Sequence, residues 1–351
     1  MIEGYRIAQI PLHFPEEREQ LRAFLARHQL RYESDIQSAF GIYNEEDVLV
    51  GCGCAAGYLM KCFAVEPDLR GQNALGLLVS YLMQERFSAG YYDLFVITRA
   101  HNEELFSQCS LFPVVRTGEL VLLENRKDGP ERFASEFWKD GDGEKQVGAI
   151  VMNCNPFTMG HLALVEYAAQ HCDVLHLFVV EEDRSEFPTR VRLKLVQEGT
   201  KHLDNVRVHL SGPYMISAAT FPTYFLKKGE DAAALQTELD IALFAQRIAP
   251  ELNIKRRFAG AEPLDATTAR YNRSMRELLP THGIEFCEIP RVEQDGTVIS
   301  ASRVRKLLKE KGVCDEVIAM VAPPTAAYLK REFLGGNKAT LTYRQKYARM
   351  R

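Results

Sequence analysis

No apolar run in this 351-residue sequence approaches the about 18 residues that a membrane-crossing helix needs, so no transmembrane helix and no membrane partner are expected. The opening MIEGYRIAQIPLHF has no basic segment ahead of an apolar core, so no secretory signal is expected. The eight cysteines are scattered and form neither a CxxC pair nor a Cys/His zinc spacing. A structural zinc site is therefore not expected, and the setting expected is a reducing cytoplasm. Basic charge is not in excess. The 43 Lys and Arg stand against 47 Asp and Glu, a net charge of −4, which gives no footing for nucleic acid. Internal repeats and low-complexity segments are also missing. What remains is 46% apolar and 26% charged, the balance of an ordinary globular protein.

At this length two domains are more natural than one. Residues 124–146, ENRKDGPERFASEFWKDGDGEKQ, are polar and hold four glycine or proline residues. They read as a linker with a short helix near 133–138. The domains expected are therefore 1–125 and 147–351, joined by 126–146. Both halves read as α/β.

The most informative stretch is 148–170, GAIVMNCNPFTMGHLALVEYAAQ. A buried strand (148–152) runs through a polar turn into a helix that begins near Gly160. The free N–H groups of a first helical turn and the positive end of its dipole suit an anion. Asn155 and Phe157 flank Pro156 in the turn, Gly160 admits close backbone approach, and Thr158 and His161 add side-chain donors. Thr158 also reads as a plain helix cap, and His161 as a satisfied surface histidine. About 140 residues further on, VISASRVRKLL (298–308) again reads as a strand end entering a helix. Ser300 or Ser302 would cap it, and Arg303 and Arg305 fall within its first two turns. The two stretches, in this order and separation, resemble the T/HxGH and ISxSxxR signature of the nucleotidyltransferase superfamily.

In residues 1–125 the pattern predicts strands at 5–10, 39–43, 48–56, 60–65, 92–98 and 118–123. Helices are expected at 16–28, 71–89 and 102–109. Strands first, then alternation, point to a mixed sheet. A strand ends at Val65, a loop carrying Arg70 and Gly71 follows, and a helix begins, which again favours an anion, here a pyrophosphate. This half resembles the GNAT acetyltransferase family, whose Arg-Gly-x-Gly-x-Gly/Ala loop wraps the pyrophosphate of CoA. Here Asn73 stands at the second glycine and Leu75 at the third small residue, a departure from ordinary acetyl-CoA binding. Glu66, beside the loop, reads as a base or as a solvated strand-end carboxylate. Cys52 and Cys54 would share one strand face, as small core residues or as a redox pair.

In 147–351, a near-continuous apolar stretch at 173–180 reads as a parallel-type strand and runs into the acidic loop at 181–188, which should face the site at the carboxyl ends of the strands. The helix from Thr189 starts with Arg190 and Arg192, which oppose its dipole. That implies an anionic partner, or pairing with the acidic loop. Strands follow at 205–210, 255–258 and 284–289, with an apolar-periodic helix at 232–249. The resemblance to nucleotidyltransferases makes Gly260 and Glu262 nucleoside-contact candidates and adds Ile299 to the nucleotide site. The end from Pro323 is basic and reads as a solvated tail or as a contact for an acidic partner.

A GNAT-like half followed by a TxGH nucleotidyltransferase half resembles the citrate (pro-3S)-lyase ligase family. The likeness runs through the Arg70-Gly71 loop, NCNPFTMGHLALVEYAAQ, FPTRVRLKLV, GAEPLDATTARYN and VISASRVRKLL. It implies an acid–thiol ligase that uses ATP and Mg²⁺ to turn acetate into acetyl-adenylate. The acetyl group then passes to the prosthetic-group thiol of the acyl carrier subunit of citrate lyase, with AMP and pyrophosphate released. It also implies catalytic roles for His161 and Thr158 at the transferring phosphate, and for Arg305, which with Ser300 and Ser302 holds the β- and γ-phosphates. A cofactor adenylyltransferase fused to a CoA- or carrier-binding module is the alternative that the C-terminal motifs alone leave open.

Overall fold

The computed structural model describes residues 2–139, 143, 145–181, 185–216, 221–262, 265–291, 293–294 and 297–334. The chain divides into two compact units. One is Met1–Arg132 with Thr220–Leu243; the other is Phe133–Ala219 with Phe244–Arg351.

The first unit is built on a seven-stranded mixed sheet of order β1-β2-β3-β4-β5-β7-β6. Its elements are β1 (Arg6–Gln9), α1 (Pro15–Arg27), β2 (Ser38–Tyr43), β3 (Leu49–Ala56) and β4 (Leu59–Val65). They continue with α2 (Ala74–Ser88), β5 (Phe95–Arg99), α3 (Glu103–Ser107), β6 (Phe112–Arg116) and β7 (Leu120–Glu124). Helix α1 starts on Pro15 with Glu16 and Glu17 in its first turn and ends on Arg27, so its charges follow the dipole. It buries Leu21, Phe24 and Leu25 on one face of the sheet, while α2 buries Leu78, Val79 and Leu82 on the other. Strand β6 was not among the sequence expectations because Pro113 interrupts its pattern. It lies at the sheet edge, where a missing N–H is tolerated. Cys52, Cys54 and Cys62 are free, fully buried thiols in the core beneath α1. Hydrogen bonding among them, with burial, holds Cys54 and Cys62 far above the usual thiol range, so they behave as core residues rather than a thiolate pair.

The chain continues through α4 (Gly129–Ser135), within the stretch read as a linker, then β8 (Val147–Met152), α5 (Met159–Gln170), β9 (Val174–Val179), α6 (Thr189–Thr200) and β10 (Val206–Leu210). Helix α7 (Ala232–Leu243) groups with the first unit, where it packs on β6 and β7. The helix expected over 232–249 is thus shared: its last turn, Phe244–Ile248, is π-helical and belongs to the second unit. Buried polar contacts explain why the segment before α7 joins the first unit. Lys61, 1% exposed, binds Glu33 at 2.8 Å and Asp35 at 2.6 Å. Burial alone would lower this ammonium, but the two carboxylates outweigh it and raise it. The other Glu33 oxygen accepts from Thr223 N and Oγ1 at 2.7 and 2.9 Å, and Arg31 donates to the Thr223 carbonyl at 2.6 Å. Arg99 pairs with Glu230 just before α7.

The second unit carries β11 (Ile254–Gly260), α8 (Ala266–Leu278), β12 (Glu285–Ile289), the short pair β13 (Glu293–Gln294) and β14 (Thr297–Val298), α9 (Ala301–Lys311), α10 (Asp315–Met320) and α11 (Pro323–Leu329). Its main sheet is wholly parallel, of order β10-β9-β8-β11-β12. Strand order therefore reverses between β8 and β11, the point in such sheets where ligands gather beyond the carboxyl ends of the strands. Strand β9 is buried along its whole length, as a strand covered on both faces should be. The solvated tail expected from Pro323 is not what the structure has up to Leu334. There α11 and the π-helical turn Lys330–Leu334 follow, and Thr325, Tyr328 and Leu329 are buried against the core of this unit. The residues beyond 334 lie outside the described residues. No helix of the described residues is long and apolar enough to cross a membrane.

Candidate active site

The turn after β8 delivers both motifs to one place. Thr158 is the N-cap of α5, with extended backbone, and its hydroxyl accepts from the His161 N–H at 3.3 Å. In return the Thr158 N–H donates to His161 Nδ1 at 3.1 Å. This is a reciprocal capping box with histidine in the place usually held by Glu or Gln. It has a chemical consequence. A backbone N–H can only donate, so Nδ1 carries a lone pair and the ring proton sits on Nε2. Burial, with the charges of Arg291 and Arg305, lowers His161 to about 4, against a smaller opposing effect of the Pro156 carbonyl. His161 is therefore neutral at physiological pH and offers Nε2–H as a donor. The cap reading of Thr158 holds, and the cap fixes the orientation of the histidine.

Phe157 is fully buried, and its ring lies parallel to His161 with centroids 6.1 Å apart. Gly199 on α6 makes room for it, since a Cβ there would lie 2.6 Å from Phe157 Cε1. The Phe157 carbonyl accepts from Thr325 Oγ1 at 2.8 Å, and Thr158 bridges to Val321, so α11 and its approach brace the turn. Asn155 Oδ1 accepts from Phe187 N at 3.0 Å.

The second motif enters beside it. Ser300 caps α9, accepting from Arg303 N at 3.2 Å, and its hydroxyl lies 3.2 Å from that of Ser302. Gly160 fits here because the Ile299 carbonyl comes within 3.4 Å of where a Cβ would stand. The close approach that this glycine permits is thus made by the protein's own backbone. Arg305 reaches over to donate to the Asn155 carbonyl at 2.6 Å, with Glu186 Oε1 3.6 Å from its Nε. A cleft of about 340 Å³ lies between, lined by Asn153, Asn155, His161, Ser185, Glu186 and Arg305. Arg303 turns elsewhere and pairs with Glu316 at 2.9 Å.

Three sequence candidates serve the scaffold in ways the motif did not show. Glu262 is paired with Arg291, which also donates to the Ala261 carbonyl at 2.7 Å. The Gly260 carbonyl accepts from Asn272 at 2.9 Å, at the carboxyl end of β11. Arg192, read as awaiting an anion or pairing with the acidic loop, is fully buried. It donates to the carbonyls of Phe187, Asn153 and Val180 at 2.6–2.9 Å, to Asn153 Oδ1 at 2.8 Å and to Thr189 Oγ1 at 2.8 Å. It is a clamp on the strand ends that floor the cleft; of the acidic loop, 182–183 lie outside the described residues. Arg190 is exposed. Sequence reading did not single out Asn153, Ser185, Glu186 or Arg291, although Asn153 opens the NCNPFTMGH stretch, Ser185 and Glu186 lie in the loop expected to face the site, and Arg291 follows β12.

In the first unit, Arg70 and Gly71 are exposed in the turn before α2, Gly71 with φ +80° and Asn73 with φ +59°. The Asn73 side chain folds over Gly76, its Oδ1 2.2 Å from where a Cβ would be. Glu66 lies 3.5 Å from both Arg27 and His28, an engaged strand-end carboxylate.

Residues 147–329 match the family model described as citrate lyase ligase C-terminal domain. The citrate (pro-3S)-lyase ligase of Klebsiella pneumoniae is 40% identical over 317 residues, 89% of this chain and 92% of that one. This chain belongs to the citrate (pro-3S)-lyase ligase family. Among solved structures, a bifunctional NMN adenylyltransferase/ADP ribose pyrophosphatase from Francisella tularensis is similar at 13% identity and a TM-score of 0.37, covering 58% of this chain and 52% of that chain. A GNAT-family acetyltransferase from Staphylococcus aureus is similar at 10% identity and a TM-score of 0.30, covering 35% of this chain and 99% of that one.

Proposed function

We propose that this chain activates acetate with ATP and passes the acetyl group to the thiol of the phosphoribosyl-dephospho-CoA arm on the acyl carrier subunit of citrate lyase, releasing AMP and pyrophosphate. The observation that carries this is His161, neutral and aimed by Thr158, at the N-terminus of α5 in a cleft that also holds Arg305. The donor set fits a polyphosphate: two helix N-termini, one imidazole N–H and one guanidinium converge where the strand order reverses. Mg²⁺, carried on the phosphates, would neutralise part of their charge.

The geometry supports the following division of labour. Acetate is a poor electrophile until its oxygen is joined to phosphorus. Its attack on the α-phosphorus places extra negative charge on the phosphoryl oxygens as pyrophosphate leaves. His161 Nε2–H and the first N–H groups of α5 stabilise that charge, and a neutral donor does so without giving up its proton. Arg305 and the start of α9, with Ser302 exposed on its first turn, receive the β- and γ-phosphates. Thr158 and Ser300 act through the helix starts they cap. The thiol then attacks the acetyl carbonyl, the C–O bond to AMP breaks, and the thiol proton leaves to solvent.

The first unit receives the prosthetic arm in this reading, rather than free acetyl-CoA. The parallel neighbours β4 and β5 share a single registered pair, Leu59 with Phe95, and so leave edges open between them. Asn73 covers the first turn of α2 where the GNAT loop has glycine. The test is to incubate the enzyme with ATP, acetate and the deacetylated carrier subunit, and to weigh the carrier by mass spectrometry. A gain of one acetyl group with equimolar AMP is expected. ADP as product, or tight productive binding of free acetyl-CoA, would contradict the mechanism or the arm assignment respectively.

A further inference from the structure

A carboxylate in a cleft built for phosphate needs an explanation, and Glu186 supplies the puzzle. It lies between β9 and α6, its side chain 19% exposed, and it lines the same cleft as His161. An unneutralised carboxylate there would repel a triphosphate. Its surroundings show how that repulsion is avoided. One oxygen, Oε1, faces Arg305 Nε at 3.6 Å and is also the partner of Lys309 Nζ. Arg305 and Lys309 are four residues apart on α9 and share a face of the helix. Arg305 is further tied through Nη1 to the Asn155 carbonyl. Its Nε and Nη1 edges are therefore both engaged by the protein, which leaves Nη2 for a ligand.

Resting on the reading of this cleft as the ATP site, we infer that Glu186 is a positioning residue. It holds the Arg305 guanidinium at a fixed angle to the departing pyrophosphate, and Lys309 neutralises Glu186 so that the cleft stays attractive to anions. The three side chains carry a net charge of +1 with Glu186 in place. Positioning and simple charge make opposite forecasts for Glu186→Gln. If only charge mattered, removing a negative group would tighten ATP. If Glu186 orients Arg305, ATP binding and turnover both weaken.

The experiment is acetate-dependent ATP–pyrophosphate exchange, with KM for ATP and kcat read separately, on wild type, Glu186→Gln, Lys309→Met, Lys309→Arg and the Glu186→Gln/Lys309→Met double variant. Thermal melts run beside it. Glu186→Gln is expected to lose kcat/KM about tenfold or more with an unchanged melt. Lys309→Met, on an exposed residue that threatens no core, raises KM for ATP with little change in kcat, and Lys309→Arg restores it. The double variant is no worse than Glu186→Gln alone, since the charge that Lys309 offsets is gone. Wild-type kinetics in Glu186→Gln, tighter ATP in that variant, or losses that multiply in the double variant overturn the inference. No exchange and no ATP binding by wild type overturn the ATP reading itself, and this inference with it.

Discussion

Arg192 is the place where a single change should cost the second unit most. Its guanidinium makes five hydrogen bonds of 2.6–2.9 Å to groups just past the ends of β8 and β9, in the loop before α6 and on the first residue of α6, and it is fully buried. Arg192→Met keeps most of the volume and removes every donor. The carbonyls of Asn153, Phe187 and Val180 then lose a buried partner, and each such loss costs about 1–3 kcal/mol. Partial relaxation and water entry keep the sum below simple addition, so the expected destabilisation is about 3–5 kcal/mol, the range found when one member of a buried charged network is removed. Arg192→Lys keeps the charge but not the planar fork, and should fall between. Trp138, the one tryptophan of the chain, lies in this unit, so its fluorescence in urea reports the unit directly. The same variant frees Asn153 at the cleft floor, so KM for ATP should rise in whatever folded fraction remains. A shift below about 1 kcal/mol for Arg192→Met would refute the clamp assignment.

Other expectations follow from the same geometry. Thr158→Ala removes the N-cap of α5 and should cost about 1 kcal/mol in the same urea assay, with Thr158→Ser recovering most of it. Gly199→Ala sets a Cβ 2.6 Å from the buried Phe157 ring, and overpacking there should cost about 1–3 kcal/mol. The pH dependence has a definite sign. His161 binds its proton at about 4 in the folded state against 6.5 ordinarily, so between those values the unfolded chain holds more protons. Stability from this group is full above 6.5 and is lost as pH falls towards 4, and His161→Asn should flatten that part of the urea-midpoint profile. His209, lowered to about 3 by burial and by His176, contributes a second loss of the same sign, so the His161→Asn profile should be flatter but not level.

Much of this was legible in the sequence because capping chemistry is local. Thr158 and Ser300 announced helix starts that the structure has, and the apolar run ending at Val180 announced a parallel strand. The return of 221–243 to the first unit was not legible, since Lys61, Glu33, Thr223 and Arg99 are brought together only by the fold. Strand β6 was hidden by Pro113, which edge pairing tolerates, and α8 by the glycine and proline before its Asp265 cap. Arg192 misled because a basic residue in a first helical turn looks electrostatically misplaced. Its guanidinium in fact faces the strand-end carbonyls. Asn155, His161 and Arg305 of the motifs line one cleft, whereas Glu186 was legible only as part of a loop expected at the strand ends, and Arg291 follows no spacing rule.

The measurement closest to the central claim is acetate-dependent ATP–pyrophosphate exchange on wild type and His161→Ala. Acyl-adenylate chemistry at a neutral, Thr158-aimed His161 requires exchange that depends on acetate and falls by at least about 100-fold in the variant, the scale for losing one transition-state donor. Exchange that persists in His161→Ala, or that proceeds equally without acetate, would contradict the account, the latter because acetate would then not be the acceptor of the adenylyl group. Exchange that appears only when a mononucleotide is added would point instead to adenylyl transfer onto a phosphate-bearing acceptor.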